Sequence, residues 1–337
     1  MAETIALVGS ESLLGKEIRE VFGETALGQD LRLVAAAGEE PGKLAEVGDS
    51  IAFLTKMEPD AVVDSAIVIL AGPPETSRQV LDLKLTGTVI DLTYITEDDP
   101  EARVRAPYVE SDLESDKGGG ALNGPQVIAH PAAIAIAMVL LRLHENHPVR
   151  KAIIHVFEPA SERGKAGVDE LQEQTMSLLT FQQIPKKVFD AQVSFSMLAQ
   201  FGEEAPVRLA DVEERIERHL ATLLERSVGD GLGSIPMPSI RLVQAPVFHG
   251  YTFSWWIDFE DDTSVEEIEN ALHGEFIEVR TSDTEAPNNI AVAGQSGVSV
   301  GAVQPDRNSG NAFWLWMAAD NLRLSAEAAA AVAREIL

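Results

Sequence analysis

Thr4–Phe22 reads TIALVGSESLLGKEIREVF: a short apolar β run, a turn bounded by glycines and an amphipathic helix. Thr4–Val8 is the predicted buried strand, Gly9–Gly15 (GSESLLG) the turn, and about Lys16–Phe22 the helix. This order opens a dinucleotide-binding α/β fold. The alternation then recurs, with strands predicted at Leu31–Ala36, Ala66–Leu70 and Thr88–Leu92, the first ending near Gly38-Glu39 and the second in Ala71-Gly72. Strands alternating with helices imply a parallel, doubly wound sheet. A glycine turn after a strand is a weak signal alone, because Gly9 and Gly15 also serve close packing of helix on strand.

A second strand–turn–helix follows at Val127–Leu143, VIAHPAAIAIAMVLLRL. The unpaired N–H groups and dipole of a helix start favour an anion there, so enzymes often place a nucleophile at such a turn. Here the turn after His130-Pro131 carries Ala132 and Ala133, which have no chemistry to offer. Asp112–Gly120 (DLESDKGGG) precedes it as a Gly-rich, flexible stretch. Beyond it, strands are predicted at Ala152–Phe157, Arg241–Val247 and Thr252–Phe259, with helices at Gly167–Leu179, Asp211–Arg226 and Ser325–Ile336. This mixture implies an α+β domain with a partly antiparallel sheet, one face of which needs a partner; a homodimer is expected.

With 337 residues and 45% hydrophobic content, the chain can build two cores. Lys+Arg number 26 against 54 Asp+Glu, and the net charge of -28 repels nucleic acid and anionic lipid. No run of 18 apolar residues or basic N-terminal region occurs, so neither membrane span nor signal peptide is expected, and the location is expected to be cytoplasmic. Zero cysteines exclude disulfides, thiolate metal sites and a cysteine nucleophile. The seven histidines show no metal-binding spacing, and His144 and His147 read as exposed helix-end residues.

Four blocks in order, Gly9–Gly15, GKAGVDELQEQT at Gly164–Thr175, QAPVFHGY at Gln244–Tyr251 and WLWMAADNLR at Trp314–Arg323, resemble the aspartate-semialdehyde dehydrogenase family over essentially the whole chain. The resemblance implies a Rossmann-type domain for NADP, expected at 1–126 with 320–337 packing back, and an α+β substrate and dimerisation domain with a mixed sheet at 127–319. It also implies reductive dephosphorylation of β-aspartyl phosphate through a cysteine thioester. The family's catalytic cysteine falls on Ala133, and its acid/base histidine, five residues after the proline of a PV block, falls on Tyr251. His249 lies two residues early; on a strand it keeps the same facing but is displaced by roughly 6 to 7 Å.

The substrate contacts implied by the resemblance are changed as well. The carboxylate-binding arginine becomes Gln244, which cannot form a charged bidentate clamp, and the phosphate-binding arginine becomes Glu97. Arg215 stands where the family has a phosphate-contacting lysine, and Glu173 keeps a glutamate position near the substrate amine. In the cofactor loop Ser12 replaces the middle glycine and Glu11 adds a negative charge. Ala37-Gly38-Glu39-Glu40 follows the second strand, where the family presents an arginine to the 2′-phosphate; Glu39 repels NADP and suits a ribose hydroxyl of NAD. NAD is therefore favoured over NADP, with no cofactor at all a further option. Asp320-Asn321 is expected to cap the last helix, Asn321 also matching a family position near the nicotinamide. Trp255, Trp256, Trp314 and Trp316 read as sheet and dimer core.

Three functions follow: a family member inactive for the thioester reaction, retained for binding, assembly or regulation; an NAD(P)-linked oxidoreductase acting on an aldehyde or oxo group, with Tyr251 or His249 as acid/base; or a small-molecule sensor using the old cleft.

Overall fold

The computed structural model describes residues 4–110, 124–228 and 234–337. The stretch Asp112–Gly120 lies outside them. The chain divides into two compact units, Met1–Ala129 with Ser325–Leu337, and His130–Leu324.

The first unit begins with β1 (Ile5–Val8) and α1 (Leu13–Gly23), followed by β2 (Leu31–Val34), β3 (Leu44–Val47), β4 (Ser50–Phe53), α2 (Pro59–Val62) and β5 (Ile67–Leu70). It continues through α3 (Pro74–Leu81), β6 (Thr88–Asp91), β7 (Arg103–Arg105), α4 (Pro107–Glu110) and β8 (Gln126–Ile128). Six strands in the order β2-β1-β5-β6-β8-β7 pair in parallel throughout, the doubly wound sheet expected from the alternation. The runs IALV and IVIL of β1 and β5 are buried at every position, as strands covered on both faces must be.

The glycine turn is fixed by close approach. Gly9 has φ 85, and a Cβ on it would lie 2.3 Å from Gly72 Cα; a Cβ on Gly15 would lie 2.1 Å from the Gly9 carbonyl oxygen. Three strands of this unit went unforeseen: β7, and the antiparallel pair β3 and β4, whose Leu44, Ile51 and Phe53 are exposed and so carry no buried-strand signal.

The second unit starts with α5 (Pro131–Asn146), then β9 (Val149–Glu158), α6 (Gly164–Leu179), α7 (Leu209–Val228), β10 (Ser239–Gln244) and β11 (Tyr251–Phe259). It closes with α8 (Val265–Leu272), β12 (Ile277–Arg280), β13 (Val298–Pro305) and β14 (Ala312–Ala319); α9 (Asn321–Ile336) belongs to the first unit from Ser325 on. Its sheet runs β10-β9-β11-β14-β13-β12, with β9/β10 and β12/β13 parallel and the other pairs antiparallel. One face is covered. The other carries Ile153, Phe157, Val243, Trp256, Trp314 and Trp316, all at least partly open, because buried and open positions alternate along β9 and β11.

Two local expectations are corrected. The strand expected at Arg241–Val247 ends at Gln244, just before Ala245 and Pro246, a residue with no N–H for a ladder. His144 and His147 are half-buried rather than exposed: His144 Nδ1 accepts the Val149 N–H at 3.1 Å, and His147 packs edge-on against Phe259 at 6.1 Å.

Candidate functional site

The turn that enters α5 is built as its sequence dictates. Pro131 occupies the first helical turn, where its missing N–H costs nothing, and His130 caps the helix, its Nδ1 accepting the Ala132 N–H at 3.3 Å. The His130 N–H donates to His219 Nδ1 on α7 at 2.9 Å. Ala132 and Ala133 are both 0% exposed. At the position of greatest interest the helix start therefore presents methyl groups, with imidazoles around it.

Around the turn lies a buried polar cluster that sequence reasoning missed. Alternation along β9 places Glu158 on the covered face of the sheet, where it is 0% exposed. Arg163 Nη2 donates to Glu158 Oε1 at 3.0 Å, and the Tyr251 hydroxyl to Oε2 at 3.4 Å. Tyr251, the first residue of β11, is fully buried, with its ring edge-on to His130 at 6.2 Å. Glu162 lies 3.7 Å from His130 Nε2 and accepts the Asn321 Nδ2–H at 2.8 Å. Asn321 Oδ1 in turn accepts the Gly250 N–H at 3.3 Å.

The electrostatics of the cluster follow from two carboxylates sharing one guanidinium away from water. Burial raises the Glu158 carboxyl above its ordinary value, against the pull of Arg163 and the Tyr251 hydrogen bond. Burial and the neighbouring Glu158 push Glu162 up to about 7. Burial works to lower the Arg163 guanidinium, but Glu158 and Glu162 hold it above its ordinary value. Near neutral pH the cluster thus stores a proton on a carboxyl group next to an imidazole and a phenol. That arrangement can move protons but contains no nucleophile at the helix start.

The other expected residues divide sharply. Gln244 belongs to the cluster: it is fully buried, and its Nε2 donates to the carbonyls of Glu158 at 2.9 Å and Ala245 at 3.0 Å. Arg215 sits one helical turn before His219 on α7, on the same face. His249 is a correction, since β11 starts at Tyr251 and Gly250 intervenes with φ 79; the two side chains do not share a strand face. Glu173 is another: it is exposed on α6, in a surface groove with Met176 and Pro185.

The buried polar members of that block are Glu170 and Gln174. Glu170 accepts the N–H groups of Lys187, Val188 and Phe189 at 2.6, 2.7 and 3.2 Å, while Gln174 Oε1 accepts that of Val193 at 2.8 Å. The GKAGVDELQEQT block therefore ties down the chain that follows α6. Glu97 lies in the first unit after β6, half-buried, in a turn where Tyr94 has φ 61.

The glycine loop belongs to the first unit. Ser12 caps α1, its Oγ accepting the Gly15 N–H at 2.8 Å and donating to the Ala71 carbonyl at 2.8 Å, so its side chain is turned inward. Glu39 Oε1 accepts the Glu11 N–H at 3.0 Å, and Oε2 accepts the Ala36 N–H at 2.9 Å. A carboxylate is thus moored beside the turn, and Arg19 pairs with Glu11 at 3.1 Å. The first-turn amides of α1 and the buried, unpartnered Ser10 Oγ fit an anionic group of a dinucleotide. Asp320 caps α9 as expected, with Oδ1 accepting the Leu322 and Arg323 N–H groups at 2.9 and 3.1 Å. Among the described residues no group of three or more His, Asp or Glu side chains is placed to hold a metal ion, and no helix is long and apolar enough to cross a membrane.

Comparisons with known proteins agree with this architecture. The family model for the semialdehyde dehydrogenase dimerisation domain matches residues 140–324. The aspartate-semialdehyde dehydrogenase of Rickettsia bellii is 25% identical over 329 residues, spanning 96% of this chain and 94% of the relative. Among solved structures, a probable aspartate-semialdehyde dehydrogenase from Pseudomonas aeruginosa superposes with a TM-score of 0.84 at 22% identity, covering 100% of this chain and 98% of that one. The aspartate semialdehyde dehydrogenase of Candida albicans, solved with NADP, gives a TM-score of 0.64 at 13% identity, covering 100% and 98%. With the family model spanning more than half of its length and the two-unit fold shared from end to end, this chain belongs to the semialdehyde dehydrogenase family.

Proposed function

We propose that this chain is a semialdehyde-dehydrogenase-family protein that does not carry out the thioester reaction and is retained as a dimeric, ligand-binding scaffold. The observation that carries this reading is Ala133, fully buried in the first turn of α5, where the family resemblance calls for the nucleophile. The cluster around it supports the same conclusion. Gln244 has no charge to clamp a substrate carboxylate, and the nearby guanidinium of Arg163 is engaged by Glu158. Removing the nucleophile from a catalytic unit costs on the order of 10⁶ in turnover, and the residues from Ala132 to Leu141 include no Ser or Thr to replace it. Purified protein is expected to show no phosphate-dependent oxidation of aspartate semialdehyde with NADP; turnover above the enzyme-free control refutes the proposal.

A second reading is favoured by the Tyr251–Glu158 contact. A phenol hydrogen-bonded to a carboxyl of raised pKa is a usable acid/base pair for an NAD-linked oxidoreductase acting on an aldehyde or oxo group. A bound nicotinamide would supply the hydride chemistry; the chain's part is Glu39, whose moored carboxylate suits a ribose diol and repels a 2′-phosphate. Calorimetric titration is expected to favour NAD over NADP. No heat with either at millimolar concentration eliminates this reading. The dimer is assigned to the open face of the second unit's sheet, where Phe157 and Trp316 lie 5.8 Å apart beside Trp256 and Trp314.

A further inference from the structure

Helix α6 ends in an unusual way. The Phe181 N–H bonds to the Leu178 carbonyl at 3.3 Å and the Gln182 N–H to that of Ser177 at 2.8 Å, the bond pair of a Schellman cap. The residue at its left-handed position is ordinarily glycine. Here it is Phe181, with φ 56 and 98% of its surface exposed. Fourteen residues later the same combination recurs: the Ser196 N–H bonds to the Val193 carbonyl at 3.1 Å, and Phe195 inside that turn has φ 60 and is 67% exposed. Each position strains an L side chain, and neither ring is buried against its own chain in return. A strained backbone that displays a large apolar group points to a contact made outside the chain.

The surroundings are apolar and continuous with the sheet. Met176, Leu179 and Met197 are exposed nearby in sequence. The chain at 193–194 is bound to α6, with the Val193 and Ser194 N–H groups on Gln174 and the Ser194 hydroxyl 2.8 Å from that of Thr175. Leu198 then bridges to Gln244 at the edge of β10, which puts Met197 on the open face of the sheet by alternation. A groove of about 610 Å³ and mixed polarity, lined by Gln172, Glu173, Ser177 and Gln183 together with Met176, Ile184 and Pro185, borders Phe181 in the sequence on both sides. One copy therefore carries both an aromatic knob and a groove whose apolar part is Met176, Ile184 and Pro185, the requirement for a self-complementary two-fold contact.

We propose that Phe181 and Phe195 form an arm that extends the dimer contact beyond the sheet, with Phe181 of each copy seated in the groove beside α6 of the other. This rests on the homodimer reading, because the arm is continuous with the face assigned to it. Buried aromatic anchors dominate interfaces of this kind. Glycine is the residue that both backbone positions favour, so the F181G/F195G variant should fold at least as well as the wild type.

The test is the dimer dissociation constant by analytical ultracentrifugation for the wild type, F181G/F195G and the sheet-face variant W316E. The proposal expects a dimeric wild type and a dissociation constant raised about 30-fold or more in F181G/F195G. If W316E dissociates while F181G/F195G keeps the wild-type constant, the homodimer reading stands and the arm is refuted. A wild type that is monomeric at every concentration overturns both.

Discussion

Replacing Glu162 with glutamine should stabilise the protein above neutral pH and leave it unchanged in acid. The Glu162 side chain is 12% exposed, held between His130 and Asn321, and burial beside Glu158 lifts its pKa from 4.5 to about 7. In the unfolded chain it titrates at about 4.3. Between these values the folded protein holds a proton that the unfolded chain has released, so stability falls as pH rises through that window. At roughly 1.4 kcal/mol per pH unit, the loss from pH 4.5 to 7 is about 3 kcal/mol.

Glutamine is isosteric, keeps an oxygen for the Asn321 amide and has no proton to lose. The stability difference between E162Q and wild type should therefore be near zero at pH 4.5 and reach about 3 kcal/mol in favour of the variant by pH 8. Urea unfolding followed by tryptophan fluorescence is the appropriate assay, because all four tryptophans, at 255, 256, 314 and 316, lie in the unit that contains Glu162. A difference that is flat with pH, or that favours the wild type at pH 8, refutes the assignment of a stored proton to this cluster.

Other perturbations reach the same network and the glycine turn. R163M strips Glu158 of its cation and should cost about 3–5 kcal/mol at pH 8, less at pH 5 where the carboxyl can take a proton; urea melts at the two pH values measure both. G15A forces a Cβ to within 2.1 Å of the Gly9 carbonyl oxygen and should destabilise the first unit by more than about 2 kcal/mol, read from circular dichroism melts without any nucleotide. A133C restores only the thiol and should yield no dehydrogenase activity, since Tyr251, Gln244 and Glu97 remain as they are.

The parallel sheet was legible because β1 and β5 are unbroken apolar runs bounded by glycines, and period and punctuation agree there. The β3–β4 hairpin was illegible because its apolar residues face outward, so neither alternation nor burial marks it. The site divides in a similar way. Motif spacing singles out Ala133, Tyr251 and Gln244, which the structure finds buried in sequence-distant elements of one unit, whereas Glu158, Glu162 and Arg163 in FEPASERG match no motif. One signal was present: continuing the alternation of β9 puts Glu158 on the same face as Ala152, Ile154 and Val156, and a carboxylate at such a position must find a partner indoors. Glu173 and His249 show the opposite case: motif counting names them, while the structure puts Glu173 on the exposed side of α6 and His249 ahead of β11 across a left-handed glycine.

The most direct test of the central claim is the rate of phosphate-dependent NADP reduction with aspartate semialdehyde, measured on the wild-type protein and on A133C. Both are predicted to match the enzyme-free control. Turnover by the wild type would contradict the claim that a chain with Ala133 at the helix start has left thioester chemistry behind, and turnover by A133C alone would show that the rest of the catalytic apparatus is still in place.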